Sequence, residues 1–222
     1  MEKGRRDTVL LTVIAIATLL VAIVGATFAF FTAQLNGNNR TSTITIQSST
    51  GGGVTFYSTN VTAENIYPRE AAWAVKPFRV TYHNSNSTYA FKYKLYLNYT
   101  NNFGTDEVKY SIEQVNGYCD GANKVQSECA AAGGTWKTTN LNNANAVPAV
   151  ASKYFGTGTV SKELLGEGTF LANAGDVVHS YTLTITYPDK GTNQNYTGGL
   201  NGTLNQGATL TAWVSIEETT NA

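Results

Sequence analysis

Between Thr88 and Thr100 the chain alternates with a period of two, and no other stretch constrains the fold more. In TYAFKYKLYLNYT, Tyr89, Phe91, Tyr93, Leu95, Leu97 and Tyr99 share one parity, while Ala90, Lys92, Lys94, Tyr96 and Asn98 share the other. A helix turns about 100° per residue and would scatter these apolar groups around its circumference. A strand collects them on one face. His179, Tyr181, Leu183, Ile185 and Tyr187 repeat the pattern with Thr182, Thr184 and Thr186 opposite, and Leu210, Ala212, Val214 and Ile216 form a third case. Shorter strands are expected at 42–47, 53–58, 78–82 and 107–115. Strands with one apolar face are stable when that face is buried against another sheet. The sequence therefore predicts an all-β domain, a two-sheet antiparallel sandwich of jelly-roll or Ig-like type. No amphipathic helix of useful length follows residue 35; Lys162 to Leu165 has room for one turn.

The punctuation fits short connections. Gly51-Gly52-Gly53 separates the first two strands, and Asn101 to Asp106 reads as a turn. His83-Asn84-Ser85-Asn86-Ser87 predicts a tight hairpin between two long strands. From Tyr118 to Val150 the chain is rich in Asn, Ala and Gly and carries both cysteines and Trp136. Loops of that length are uncommon without a function or a staple, so an exposed, partly ordered excursion is expected over about 118–150. Two cysteines in an exported chain, with none elsewhere, pair most simply, which makes a Cys119–Cys129 disulfide the expected staple. Two thiolates without a nearby His are too few ligands for zinc, and their spacing is too wide for a C-x-x-C redox pair.

Export itself is read from the N-terminus. Lys3, Arg5 and Arg6 precede a run from Val9 to Phe31 that holds no charge, Asn or Gln. A bilayer core needs about 20 apolar residues, and basic residues before the run keep the start of the chain in the cytoplasm and send the remainder outside. Two readings are open: an uncleaved apolar anchor helix, or a signal peptide with Thr27 and Ala29 at the −3 and −1 positions of a cut between Ala29 and Phe30. The domain plan is thus 1–29 as signal peptide or transmembrane segment and 30–222 as the sandwich, secreted or at the cell surface. The membrane is a partner during export. Losing residues 1–29 takes Lys3, Arg5 and Arg6 against Glu2 and Asp7, so the remainder is nearly neutral. Charged residues are 14% of the chain, well under the usual figure of about 25%. Nothing in this balance favours nucleic acid as a partner.

Catalysis finds little in the sequence. His83 and His179 are the two histidines, no H-E-x-x-H occurs, and no Ser-His-Asp set is recognisable by spacing. His179 lies on an apolar strand face, where a packed histidine is expected, and His83 at a polar turn. Asp189-Lys190-Gly191-Thr192-Asn193 gathers oxygen ligands but departs from the EF-hand loop. The expectation is no catalytic residue, no metal and no cofactor. Trp73, Tyr89, Tyr93 and Trp213 offer either core packing or a platform for cell-surface glycans. N-x-S/T sequons stand at Asn39, Asn60, Asn86, Asn98, Asn195 and Asn201.

The junction GATFAFFTA resembles that of the TasA/camelysin family, in which a long apolar helix ends in a Thr-aromatic-Ala step followed by Phe and a hydroxyl residue. The C-terminal third is similar too: a Gly-rich step, the strand Tyr181-Thr182-Leu183-Thr184-Ile185, a polar loop with Asn193-Gln194-Asn195, then a Gly and a final strand. The resemblance covers the junction and roughly the last fifty residues. It implies export, cleavage before Phe30 and assembly into extracellular fibres such as those of a biofilm matrix. It favours the signal-peptide reading over the anchor. A cut there leaves Phe30-Phe31 at the start of a segment that runs into Thr43-Ile44-Thr45-Ile46. Such a strand suits β-augmentation of a neighbour, with Phe30, Phe31, Ile44 and Ile46 as the donor-strand anchors and a homopolymer as the product. The competing expectation is that the segment pairs within its own sandwich. Two further classes are a pilin-like subunit that keeps its apolar helix and a membrane-anchored adhesion or carbohydrate-binding module. Gly4, followed by Arg5 and Arg6, lacks the acidic position expected after a pilin-type cut.

Overall fold

The computed structural model describes Thr18 and residues 42–47, 52–58, 60–64, 66–84, 90–172, 175–192, 194, 205 and 207–219. The apolar run apart from Thr18, the Ala29–Phe30 junction, and Phe31 lie outside the described residues. Among the described residues no helix is long and apolar enough to cross a membrane. The chain divides into Met1–Asn38 and Asn39–Ala222, and the second unit carries the strands.

The strands are β1 (Ser42–Gln47), β2 (Gly52–Ser58), β3 (Val61–Glu64), β4 (Ala74–Asn84), β5 (Phe91–Asn101), β6 (Lys109–Gln114), β7 (Tyr118–Asp120), β8 (Thr135–Lys137), β9 (Val150–Tyr154), β10 (Gly158–Phe170), β11 (Gly175–Thr186) and β12 (Thr209–Glu218). One sheet has the order β1-β2-β4-β11-β6-β9, a second β10-β5-β12-β3, and a small third pairs β7 with β8. All these strand pairings are antiparallel. The two larger sheets close on one core as an all-β antiparallel sandwich.

The three long alternating segments become β5, β11 and β12, and their apolar parities face inward. Tyr93, Leu95, Leu97, Tyr181, Leu183, Ile185, Leu210 and Val214 are all buried. Burying each such side chain is worth about 1.5–3 kcal/mol. Aromatic contacts join the two sheets: Tyr82 stacks on Phe91 at 5.5 Å and on Phe170 at 5.4 Å. Gly168 stands opposite Tyr93 in the β10–β5 ladder, where an added Cβ would collide with the Tyr93 ring. A residue without a side chain lets that ring cross the neighbouring strand.

Two local expectations are overturned. The segment 83–87 does not close a hairpin, because β4 pairs with β2 and β11 while β5 pairs with β10 and β12. The chain changes sheets between Asn84 and Phe91. Period-two patterning says which face is buried, but not whether the next strand lies beside it or across the core. Lys162 to Leu165 is not a helical turn either. It sits inside β10, where the register against β5 shifts between Val160 and Glu163 and again between Leu164 and Gly166. Lys162 has φ 59° there, and its N–H donates to Asn98 Oδ1 at 3.0 Å. A bulge that re-aims one residue thus replaces the helix.

The stretch 118–150 is more ordered than an exposed excursion. Its first part is the β7–β8 hairpin, bridged by a helical turn, Gln126–Cys129. Further on, Asn142 N–H donates to Val178 O and Val178 N–H to Asn140 O, so the chain extends the larger sheet beside β11. Val147 then enters the core, fully buried, and its N–H donates to the Tyr181 hydroxyl at 2.9 Å.

Candidate functional site

Three regions carry the residues singled out in the sequence. The first is the margin of the larger sheet. β1 is its outermost strand and, among the described residues, pairs with β2 alone. Ile44 stands opposite Phe56 and Ile46 opposite Val54, and both β2 residues belong to the buried core. Ile44 and Ile46 therefore register within their own sheet, while Phe30 and Phe31 lie outside the described residues.

The second region is a buried polar chain at the centre of the sandwich. His179 Nδ1 lies 2.6 Å from the Tyr93 hydroxyl, which lies 2.6 Å from the Tyr181 hydroxyl, which accepts from Val147. The His179 ring also bonds the Asn142 backbone and stacks on Phe170 at 4.0 Å. Burial lowers its pKa from 6.5 to about 4. The same burial raises Tyr93 well above its ordinary value and pushes Tyr181 up to about 12. A neutral imidazole bonded to the Tyr93 hydroxyl and to the Asn142 backbone, in a chain that runs on through Tyr181 to Val147, ties segment 140–147 to the sheet. A cavity of about 200 Å3 opens beside it, lined by Asn142, Asn145, Phe170 and Leu171.

Other singled-out residues do not converge. His83 lies in β4, not at a turn, and pairs with Asp176 of β11 at 3.0 Å. Tyr93 is interior, Tyr89 lies outside the described residues, and Trp213 faces outward from β12 opposite Asn98. Trp73 stacks with Arg69 at 3.9 Å and meets Tyr67 edge-on at 5.1 Å. Trp73, Tyr93 and Trp213 thus occupy three separate surroundings. Glu107 bonds Lys190 at 3.2 Å and Gln194 at 2.6 Å, and Asp189 accepts from Gly191 N–H at 2.8 Å. Those oxygens are satisfied by protein donors. Among the described residues no three His, Cys, Asp or Glu gather around a metal position. Of the sequons, Asn98 is buried and bonded to Ser215 at 2.8 Å, which closes it to a glycan in the folded domain.

The third region is the β7–β8 hairpin on the outward side of β4 and β11. Cys119 and Cys129 are joined, with Cα atoms 5.6 Å apart. Gly134 passes so close that an added Cβ would collide with the Cys119 sulfur, which explains a glycine before Thr135-Trp136. Lys137 pairs with Asp120 and holds its carboxyl below the usual range. Ser180 Oγ donates to Gly117 O at 2.7 Å, and Arg79 Nη1 to Cys119 O at 2.5 Å. Sequence reasoning missed Arg79. Its one signal is a charge between two core residues, Phe78 and Val80, at the parity that points away from the core.

Comparison with protein-family models, with curated proteins and with solved structures returns no match for this chain.

Proposed function

We propose that this chain is an exported structural subunit of an extracellular or cell-surface filament, assembling by lending its N-terminal strand to a neighbouring copy. The observation that carries the reading is the marginal position of β1. Among the described residues it is the first strand, it forms the outer edge of its sheet, and its one partner is β2. The same register on the β2 of a second copy sets Ile44 over Phe56 and Ile46 over Val54, so exchange costs no native contact at this ladder. A contact made from a strand on one copy and a ladder on the next is heterologous and grows an open filament. The TasA-like junction adds a cut that frees Phe30 and Phe31 as further anchors. A disulfide is compatible with an oxidising, extracellular setting. We read the six-and-four sandwich as jelly-roll-like, with a structural role in place of an enzymatic one.

Truncation tests this. The protein beginning at Thr50 should stay folded and monomeric, whereas the protein beginning at Phe30 should sediment as filaments. A peptide covering 30–47 should bind the truncated form and raise its Tm. A protein beginning at Phe30 that remains monomeric at high concentration, with no filaments on cells, would exclude the fibre reading.

A further inference from the structure

We infer that the cavity beneath the disulfide-stapled hairpin binds a small carboxylate. Arg79 projects from the outward face of β4, yet it is only 8% exposed. Its guanidinium lies between the rings of Tyr57 at 4.1 Å and Tyr118 at 4.9 Å. Nη1 donates to the Cys119 carbonyl, and among the described residues the group is in no ion pair. Asp120, whose carboxyl feels its charge, is held by Lys137 instead. Close by, the side-chain nitrogen of Asn123 is fully buried and, among the described residues, has no hydrogen-bond partner. Both residues line a cavity of about 80 Å3, walled by Val115, Val125 and Trp136 and bordered by the exposed Lys124.

A buried guanidinium whose neighbouring carboxylate, Asp120, is held by Lys137, and an amide donor left open among the described residues, ask for the same thing: an anion with two acceptor oxygens. A guanidinium has five donors in a planar fork, matched to the flat oxygens of a carboxylate. A tetrahedral oxyanion needs more donors, and the apolar walls suit a short aliphatic tail. A water occupies about 30 Å3 of liquid, so the space fits a ligand of acetate or propionate size. Ordered water bonded to Asn123 is the competing occupant.

The full chain, 15N-labelled in a non-ionic detergent, is titrated with sodium acetate and sodium propionate, against sodium chloride at equal ionic strength. The Asn123 amide and Trp136 indole resonances should shift saturably with the carboxylates and not with chloride, with a midpoint in the millimolar range. Asn123→Leu should weaken binding by about tenfold or more while keeping Tm, because it removes an unsatisfied donor. Arg79→Lys, which keeps the charge and loses the fork, should weaken it as well. Unsaturated shifts matching those of chloride would mean that the cavity holds only solvent, and the inference would fall. Wild-type affinity in Asn123→Leu would overturn it equally, whether or not Arg79→Lys folds.

Discussion

The paired sheets around β5 and β11 and the hairpin from Tyr118 to Lys137 are stabilised by different physics. β5 and β11 place large side chains at alternate positions inside the sandwich, including Tyr93, Leu95, Leu97, Tyr181, Leu183 and Ile185. The hairpin buries Cys119 and Cys129 but leaves its large rings, Tyr118 and Trp136, only partly covered. Covalent and polar ties hold it: the disulfide, the Asp120–Lys137 pair, and the bonds from Arg79 and Ser180 to its backbone. Apolar burial is cooperative because each side chain touches many others. Polar ties act locally. The difference predicts a cooperative unit and a satellite that opens separately within one chain.

The largest test of that contrast removes a core ring. Phe170 is 1% exposed and stacks on Tyr82, Tyr93 and His179. Phe170→Ala should cost about 3–5 kcal/mol in urea unfolding, followed by far-UV circular dichroism. A loss under about 1 kcal/mol would mean the rings around it collapse into the gap and that the core is less rigid than the packing implies.

A smaller effect comes from pH. Burial lowers the His179 pKa from 6.5 to about 4 in the folded protein. The native state therefore keeps the ring neutral where the unfolded chain protonates it. This group leaves stability unchanged above about pH 6.5. As pH falls from there towards 4 the unfolded state binds more protons and stability drops, by roughly 3 kcal/mol at most. Below about 4 both states are protonated and the loss levels off. His179→Gln should flatten this slope between pH 6.5 and 4, measured by unfolding at several pH values. An unchanged slope would move the titration to another group.

Much of the sandwich is legible in the residues and much of its wiring is not. The inward parity of β5, β11 and β12 is plain in the sequence, since each strand repeats one apolar face over several pairs. The partner of each strand is not: the segment 83–87 looks like a turn, but both flanking strands carry equal apolar faces, and those faces can meet across a core as well as side by side. The hairpin carries no period at all, so the cysteines alone mark it. The buried chain His179–Tyr93–Tyr181 joins positions 86 and 88 residues apart, and no local pattern reports such a contact. Arg79 reads as a solvated charge until the hairpin covers it.

The smallest global effect should come from the staple. Cys119→Ser with Cys129→Ser opens a link spanning 10 positions, and the chain-entropy model gives about 2–3 kcal/mol for a loop of that size. That stabilisation belongs to the hairpin, whose remaining ties are polar, so the sandwich should keep its free energy of urea unfolding within about 1 kcal/mol. Native-state hydrogen exchange separates the two. Amides from Tyr118 to Lys137 should lose protection in the double variant, while those of β5 and β11 keep theirs. If β5 loses protection in step with β7, the hairpin belongs to the cooperative unit, and the contrast between buried side chains and local ties does not hold for this molecule.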